Sequence, residues 1–200
     1  MFGIKKVTFT EDFRCFSKSA VIEFGPGANI IVGDQGTGKS SLYHCIKEAA
    51  ISKTAADKEH SVLKVKGDPI GVFAFDFEKD NHRTSSYFSP QLPMDFQAEM
   101  RFISHGEYAK TMFYQVKTAK KALLLMDEPD TALSPRSCLH LAKMFQRLVD
   151  KQDCQVIVMC HNPILFMSQE EVYNLEEMAW INAADYLQKQ LTENITDDWF

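Results

Sequence analysis

Apolar residues along the chain follow two alternating patterns. Short apolar runs at 29–32, 122–126 and 156–160 carry no charged side chain, which predicts strands buried on both faces of a parallel sheet. Apolar residues spaced every three or four positions predict helices over 40–51 and 136–150. The repeated order of strand and helix indicates an α/β fold with a mostly parallel central sheet.

The N-terminal part of the chain has the pattern of antiparallel strands. Residues 4–10 and 20–24 predict two strands that end at a Gly-Pro-Gly turn. Two further runs, 62–65 and 70–77, flank a Lys-Gly-Asp-Pro segment and predict a hairpin. Near the C-terminus, the sequence predicts a last strand over 171–175 and a helix over 182–191.

Residues 33–40 read G-D-Q-G-T-G-K-S, the spacing of a phosphate-binding loop. The loop lies between a predicted strand and a predicted helix, so its backbone N–H groups would form an anion-binding nest at a helix N-terminus. We expect Lys39 to reach the β- and γ-phosphates of a nucleotide and Ser40 to bind Mg²⁺. The candidate nucleotide-binding residues here are Gly33, Asp34, Gln35, Gly36, Thr37, Gly38, Lys39, Ser40 and Ser41.

A second candidate site follows the apolar run 122–126. Asp127 and Glu128 come where that strand ends, and ligands in parallel sheets gather at the carboxyl ends of strands. Asp127 is expected to hold Mg²⁺, and Glu128 to orient or deprotonate the attacking water. The two acids could instead mark a helix start, but Ser134 and Pro135 supply a better N-cap and first turn.

The order of these motifs resembles the ABC-type ATPases, and within them the RecF/SMC-like soluble branch. Besides the two sites above, F-R-C-F at 13–16 resembles the N-F-R-x-F element of that branch, and S-H-G-E at 104–107 resembles the signature motif. Residues 130–133 resemble the D-loop, and His161 the switch histidine. The resemblance covers about residues 1–175, and it implies a P-loop NTPase fold with a short helical signature region.

This resemblance implies a mechanism in which two heads trap two ATP molecules between them. Ser104, Gly106 and Glu107 of one head would contact the nucleotide held by the other, although Ser104 and Glu107 also fit a helix capping box. His161 would contact the γ-phosphate and position Glu128 as a catalytic residue. Lys39 would join these two in catalysis.

Two features of the family pattern stay open. The glutamine that usually ends a strand before the signature is replaced by acids, so Asp76, Glu78 and Gln91 are alternatives for its role near Mg²⁺. Of these, Asp76 is our candidate metal ligand. Arg14 is expected to touch a phosphate or the ribose, and otherwise to be a surface charge.

Composition narrows the setting of this chemistry. The 200 residues, 45% hydrophobic, are expected to form one ATPase domain in which residues 79–119 make a small signature-bearing insertion. The interval between Lys39 and Ser104 is too short for a long coiled coil. A net charge of −5 gives no global signal of a nucleic-acid-binding surface. The five cysteines have no C-x-x-C spacing, and no apolar run suits a signal peptide or membrane span, so we expect a cytoplasmic protein without membrane insertion.

The residues therefore predict an ATPase. The resemblance implies that it forms an ATP-dependent homodimer and controls a protein or nucleic-acid partner, in DNA repair, recombination or phage conflict. The alternatives are the nucleotide-binding subunit of a membrane transporter and a slow-turnover, nucleotide-gated binding module. A small-molecule kinase would leave Asp127, Glu128 and the signature unexplained. The acidic, aromatic tail at 196–200 is either a frayed terminus or a docking peptide.

Overall fold

A mostly parallel sheet of six strands organises the protein. The computed structural model describes residues 3–51, 62–68, 71–76, 119–131 and 133–192. The strand order is β5-β6-β7-β3-β8-β9, in which the first five strands are parallel and β9 is antiparallel to β8. The strands are β3 (Ala28–Val32), β5 (Gly71–Asp76), β6 (Ala122–Asp127), β7 (Gln155–Met159), β8 (Glu171–Asn174) and β9 (Ala179–Asn182). The predicted α/β class is confirmed.

A second, antiparallel sheet has the order β2-β1-β4. Its strands are β1 (Gly3–Phe9), β2 (Val21–Glu23) and β4 (Leu63–Asp68). The predicted antiparallel N-terminal portion is thereby confirmed.

Four helices complete the described part of the chain: α1 (Lys39–Ile51), α2 (Pro135–Gln152), α3 (Pro163–Phe166) and α4 (Ala183–Thr192). The start predicted for α2 is confirmed: the Ser134 hydroxyl accepts the backbone N–H of Ser137, and Pro135 occupies the first turn. None of these four helices is both long and apolar enough to cross a membrane.

The central strands separate two hydrophobic cores. Successive side chains of a strand point to opposite faces, and all six residues of β6 are buried. Leu124 and Met126 therefore pack into the core beneath α2, while Leu123 and Leu125 pack into the core shared with α1 and the antiparallel sheet. Burial on both faces accounts for the continuous apolar run that marked this strand.

The hairpin predicted from 62–65 and 70–77 is wrong. β4 pairs with β1 in the antiparallel sheet, whereas β5 pairs in parallel with β6 in the other sheet. The Lys-Gly-Asp segment extends β4 instead of turning, because Gly67 pairs with Ile4 with a φ of +145°. A Cβ on Gly67 would collide with the backbone of Gly3, so glycine serves close strand approach here.

Gln155 joins the two sheets through its buried side-chain amide. The amide oxygen accepts the backbone N–H of Ile4 at 2.8 Å, and the amide nitrogen donates to the Ile4 carbonyl at 2.7 Å and the Gly25 carbonyl at 2.6 Å. Gln155 is 1% exposed, so water cannot replace these bonds. One side chain thus satisfies three backbone groups where β7 meets β1.

Replacing Gln155 by leucine should lower the free energy of unfolding by about 2–5 kcal/mol, because it leaves buried backbone groups without partners. Urea denaturation measures this change. The exposed Gln188→Leu variant on α4 should stay within about 0.5 kcal/mol of wild type. Equal stability of the two variants would show that Gln155 does not join the sheets.

Candidate functional site

The phosphate loop lies between β3 and α1, and its glycines are required by the backbone. Gly33, Gly36 and Gly38 have φ values of +149°, +82° and +98°, which side-chain-bearing residues rarely adopt. A Cβ on Gly38 would also collide with the Cys15 sulfur and lie 3.0 Å from the ring of Phe16. The loop therefore packs directly on the segment around 13–16.

Lys39 begins α1 and lies folded back across the loop. Its Nζ donates to the carbonyls of Gly33 at 2.7 Å and Asp34 at 2.8 Å, and the residue is only 5% exposed. Burial lowers the pKa of Lys39, while the carboxylates of Glu128 and Asp127 act in the opposite direction. The ammonium group is thus held inside the loop and next to two strand-end acids.

Asp127 ends β6 beside the phosphate loop and carries an unsatisfied oxygen. It is hydrogen-bonded to the Ser40 side chain, but its buried Oδ1 has no hydrogen-bond partner within the described part of the chain. Burial raises the pKa of Asp127 to about 6, and the nearby carboxylates of Asp76 and Glu128 add to the rise. A hydroxyl and a buried carboxylate oxygen are ligands of the kind that Mg²⁺ prefers, so this pair fits the metal.

Asp76 ends β5 and lies directly beside Asp127 in the parallel register. It is 4% exposed, and its Oδ2 lies 3.5 Å from Nε2 of His44 on α1. The other candidates for the role near Mg²⁺, Glu78 and Gln91, fall outside the described residues, as does the signature segment with Ser104, Gly106 and Glu107.

Glu128 and His161 form a pair at the ends of two adjacent strands. Their side chains approach to 3.5 Å, between Oε1 of Glu128 and Nε2 of His161. The Thr131 hydroxyl donates to the other Glu128 oxygen at 3.4 Å. Glu128 has a left-handed φ of +49°, and its N–H donates to the carbonyl of Met159 at 2.9 Å. A non-glycine residue in this conformation is strained, so the tie to β7 holds the backbone that aims the carboxylate.

Asp130 fixes the backbone that carries His161. Its Oδ2 accepts the N–H of Asn162 at 3.0 Å, and it also accepts a hydrogen bond from the backbone of His161. The Asn162 side chain in turn caps α3 by accepting the N–H of Ile164. Burial raises the pKa of Asp130, whose other oxygen has no partner among the described residues. The hydrogen bonds that Asp130 accepts from this backbone depend on the fold, and the spacing of residues in the sequence does not predict them.

Arg14 and Cys15 cover the loop from the N-terminal side. An Arg14 guanidinium nitrogen donates to the Ser41 hydroxyl at 2.8 Å, and the Cys15 thiol donates to the Thr37 carbonyl at 3.1 Å. Arg14 is therefore more than a free surface charge, because it is tied to the first turn of α1.

These residues enclose a cavity of about 320 Å³. Its lining comprises Arg14, Cys15, Gln35, Gly36, Gly38, Lys39, Ser40, Ser41, Glu128 and His161. Residues predicted from four separate segments of sequence thus meet in one place, at the carboxyl ends of β3, β6 and β7. Asp127 is not in the lining but reaches it through Ser40.

Two contacts at the outer end of the loop escaped the sequence analysis. Oε1 of Glu176 accepts the N–H of Asp34 at 3.1 Å, and the backbone of Gly33 hydrogen-bonds the hydroxyl of Tyr186. Burial raises the pKa of Tyr186 to about 12, so the hydroxyl keeps its proton near neutral pH. Both side chains come from the C-terminal part of the chain, and no motif marks them.

Comparison with known proteins places the chain in a family. The pattern of the AAA domain family matches residues 10–197. The lipoprotein-releasing system ATP-binding protein LolD of Rickettsia typhi is 30% identical over 74 residues, which are 37% of this chain and 34% of LolD. The alignment thus spans about a third of that relative.

Two solved structures share the fold at low sequence identity. The ATP-binding cassette MJ0796, a dimer bound to ADP and phosphate, is 13% identical with a TM-score of 0.57, over 92% of this chain and 99% of the other. The SmcHead bound to the C-winged helix domain of ScpA is also 13% identical, with a TM-score of 0.59 and the same coverage. The fold, the phosphate loop and the family match agree: the chain belongs to the AAA domain family and is a P-loop ATPase, with a fold that ATP-binding cassettes and an SMC head share.

Proposed function

We propose that the protein is an ATP-driven head that closes on a second copy of itself and thereby controls a protein or nucleic-acid partner. One observation carries this proposal: the site is buried where it would bind phosphate and metal, and open where Glu128 and His161 lie. Lys39 and Asp127 are 5% and 6% exposed, whereas the side chains of Glu128 and His161 are 41% and 40% exposed. Closing an active site excludes bulk water and strengthens the electrostatic interactions inside it. We therefore expect another surface to cover the open end during hydrolysis.

In this proposal the loop binds the phosphates of ATP. The N–H groups around Gly36 and Gly38 and the N-terminus of α1 supply the positive potential. Lys39 would exchange its bonds to loop carbonyls for bonds to phosphate oxygens, and Arg14 lines the same cavity as a second cation. Ser40 and Asp127 would hold Mg²⁺, with Asp76 next to them. Mg²⁺ held there would neutralise part of the charge that develops on the phosphate oxygens.

Glu128 is the proposed general base. Its carboxylate would take a proton from water as the water oxygen bonds to the γ-phosphorus and the bond from that phosphorus to the bridging oxygen breaks, leaving ADP and phosphate. His161 and Thr131, which contact the two carboxylate oxygens, would hold Glu128 in position. Asp130 supports this arrangement indirectly, through the backbone of His161 and Asn162.

The surface that covers the open end is proposed to be the signature segment of a second head. Ser104 would donate its hydroxyl to the γ-phosphate, and Gly106 and Glu107 would lie next to it at a helix start. The dimeric state of MJ0796 is a property of that protein and supports the proposal by likeness of fold.

A second candidate function is the nucleotide-binding subunit of a membrane transporter, which the similarity to LolD favours. The two functions share the ATP site and differ in the partner. Stable co-purification of the tagged chain with an integral membrane protein would select the transporter function. Recovery of an ATP-dependent dimer free of membrane protein would select the first.

The dimer is tested by the mass in solution of Glu128→Gln with ATP and Mg²⁺. Because this variant binds but does not cleave ATP in our account, we expect twice the monomer mass by light scattering. Adding Ser104→Arg should return the mass to that of a monomer, since the new side chain collides at the γ-phosphate.

The matched control adds Gln188→Arg instead, on the exposed face of α4, and should stay dimeric. A monomer in all variants would contradict the homodimer and would leave the open end to another protein.

In the absence of metal, we expect the free energy of unfolding to depend on pH because the carboxyl of Asp127 is buried. Its pKa of about 6 in the fold lies above that of an unfolded aspartate, so the folded state binds the extra proton between about pH 4 and 6. In EDTA, the free energy of unfolding should therefore fall as pH rises through this window, with a contribution from Asp127 of up to about 3 kcal/mol.

Urea denaturation at pH 4.5 and pH 7 measures the change. Asp127→Asn should remove this contribution, and the exposed Asp185→Asn should keep it. The same pH dependence in Asp127→Asn as in wild type would show that another group is responsible.

A further inference from the structure

Helix α2 has two faces of opposite character. One face is buried against the sheet and consists of Cys138, Leu141, Ala142, Phe145 and Leu148. At about 100° per residue, the outward face holds five basic residues within an arc of about 80°. They are Arg136, His140, Lys143, Arg147 and Lys151, and all five are exposed. We call them the basic face of α2.

Positive charge outweighs negative charge on the basic face of α2. The sequence has no acidic residue between Asp130 and Asp150. Asp150 lies about 20° from the edge of the face and adds one negative charge near its C-terminal end, where its carboxylate accepts a hydrogen bond from Gln146 at 2.9 Å. Within the described part of the chain, none of the five basic side chains takes part in an ion pair. Lys143, Arg147 and Lys151 follow at intervals of four, where like charges on a helix repel. This positive strip lies on a chain whose net charge is −5.

We propose that the basic face of α2 binds the phosphate backbone of a nucleic-acid duplex. From Arg136 to Lys151 the face is about 22 Å long, which spans about six base pairs of B-form DNA along the duplex axis. The two arginines can each grip a phosphate with two N–H groups, and the two lysines add point charges. Contacts of this kind hold the backbone without reading the base sequence.

The side chains of this face favour a duplex over other anionic partners. The exposed positions of α2 carry no Phe, Tyr or Trp, and proteins that hold single strands rely largely on such rings to stack the bases. Helices that lie on a membrane turn an apolar face to the lipid, but the apolar face of α2 is buried in the core. An acidic protein segment is the remaining competitor, and the experiment separates it from the duplex.

This inference rests on the proposed function in one respect: it identifies a nucleic-acid duplex as the partner of the proposed ATPase. The basic face lies outside the lining of the nucleotide cavity. Binding of the duplex can therefore be measured without ATP, so failure of the surface and failure of the ATP-driven dimer are distinguishable.

The test is the fluorescence anisotropy of a labelled 30-base-pair DNA of mixed sequence, titrated with the full chain without nucleotide at 50 mM salt. Wild type should bind, with a slope of log K against log salt of about −3.6 if four side chains contact phosphates. The triple variant Arg136→Gln, Lys143→Gln and Arg147→Gln should bind at least tenfold more weakly, with a slope reduced by about 2.7.

The matched control removes the same charge from exposed lysines of the antiparallel sheet. Lys5→Gln, Lys64→Gln and Lys66→Gln together should change affinity less than twofold. The α2 variant should also keep its ATPase rate and its melting temperature, because glutamine favours helix and removes repulsion. These readouts exclude misfolding as the cause of lost binding.

Three results would overturn the proposal. The first is no binding of the duplex by wild type at 50 mM salt. The second is an equal loss of affinity in the two triple variants. The third is tighter binding of polyglutamate or of the single strand than of the duplex, which would assign the basic face to an acidic protein or to single-stranded nucleic acid.

Discussion

The parallel pairing of β3, β6 and β7 is the constraint on which the site depends. β7 lies between the other two strands, and all three run in the same direction, so their carboxyl ends open at one edge. The phosphate loop follows β3, Asp127 ends β6, and His161 follows β7 by two residues. Gln155 secures the opposite end of β7 to the antiparallel sheet. Residues more than 120 positions apart in the sequence thus meet because parallel pairing brings the carboxyl ends of these strands together.

The charged groups at this end of the sheet favour binding of a cation and an anion next to each other. The buried ammonium of Lys39 lies among loop carbonyls, and the buried carboxyl of Asp127 keeps one oxygen without a partner. Leaving such an oxygen buried costs stability, and a bound Mg²⁺ would recover it. ATP would in turn supply the negative charge that Lys39 and Arg14 face. Binding of Mg²⁺ and ATP would therefore satisfy the Asp127 oxygen and the Lys39 ammonium, which folding alone leaves buried without an opposite charge in contact among the described residues.

The sequence was most informative where one physical requirement dictates residue type. The apolar run of β6 follows from burial on two faces, and the start of α2 follows from the hydroxyl of Ser134 and the ring of Pro135. Pairing partners were not predictable in the same way, because an apolar run does not say which strand lies next to it. The supposed hairpin separated into two sheets for this reason, and the short strand β9 and helix α3 had no distinct pattern. Glu176 reaches Asp34 across 142 positions, a contact that only the three-dimensional fold creates.

Glu128 is the residue at which binding of ATP and cleavage of ATP should be separable. The direct measurement is turnover by phosphate release beside equilibrium binding of a fluorescent ATP analogue, in wild type and Glu128→Gln. We predict binding within a few-fold of wild type and turnover lower by at least about a hundredfold, as expected for the loss of a general base. Turnover at the wild-type rate in Glu128→Gln would contradict the account, because the pair of Glu128 and His161 would then not be the group that activates water.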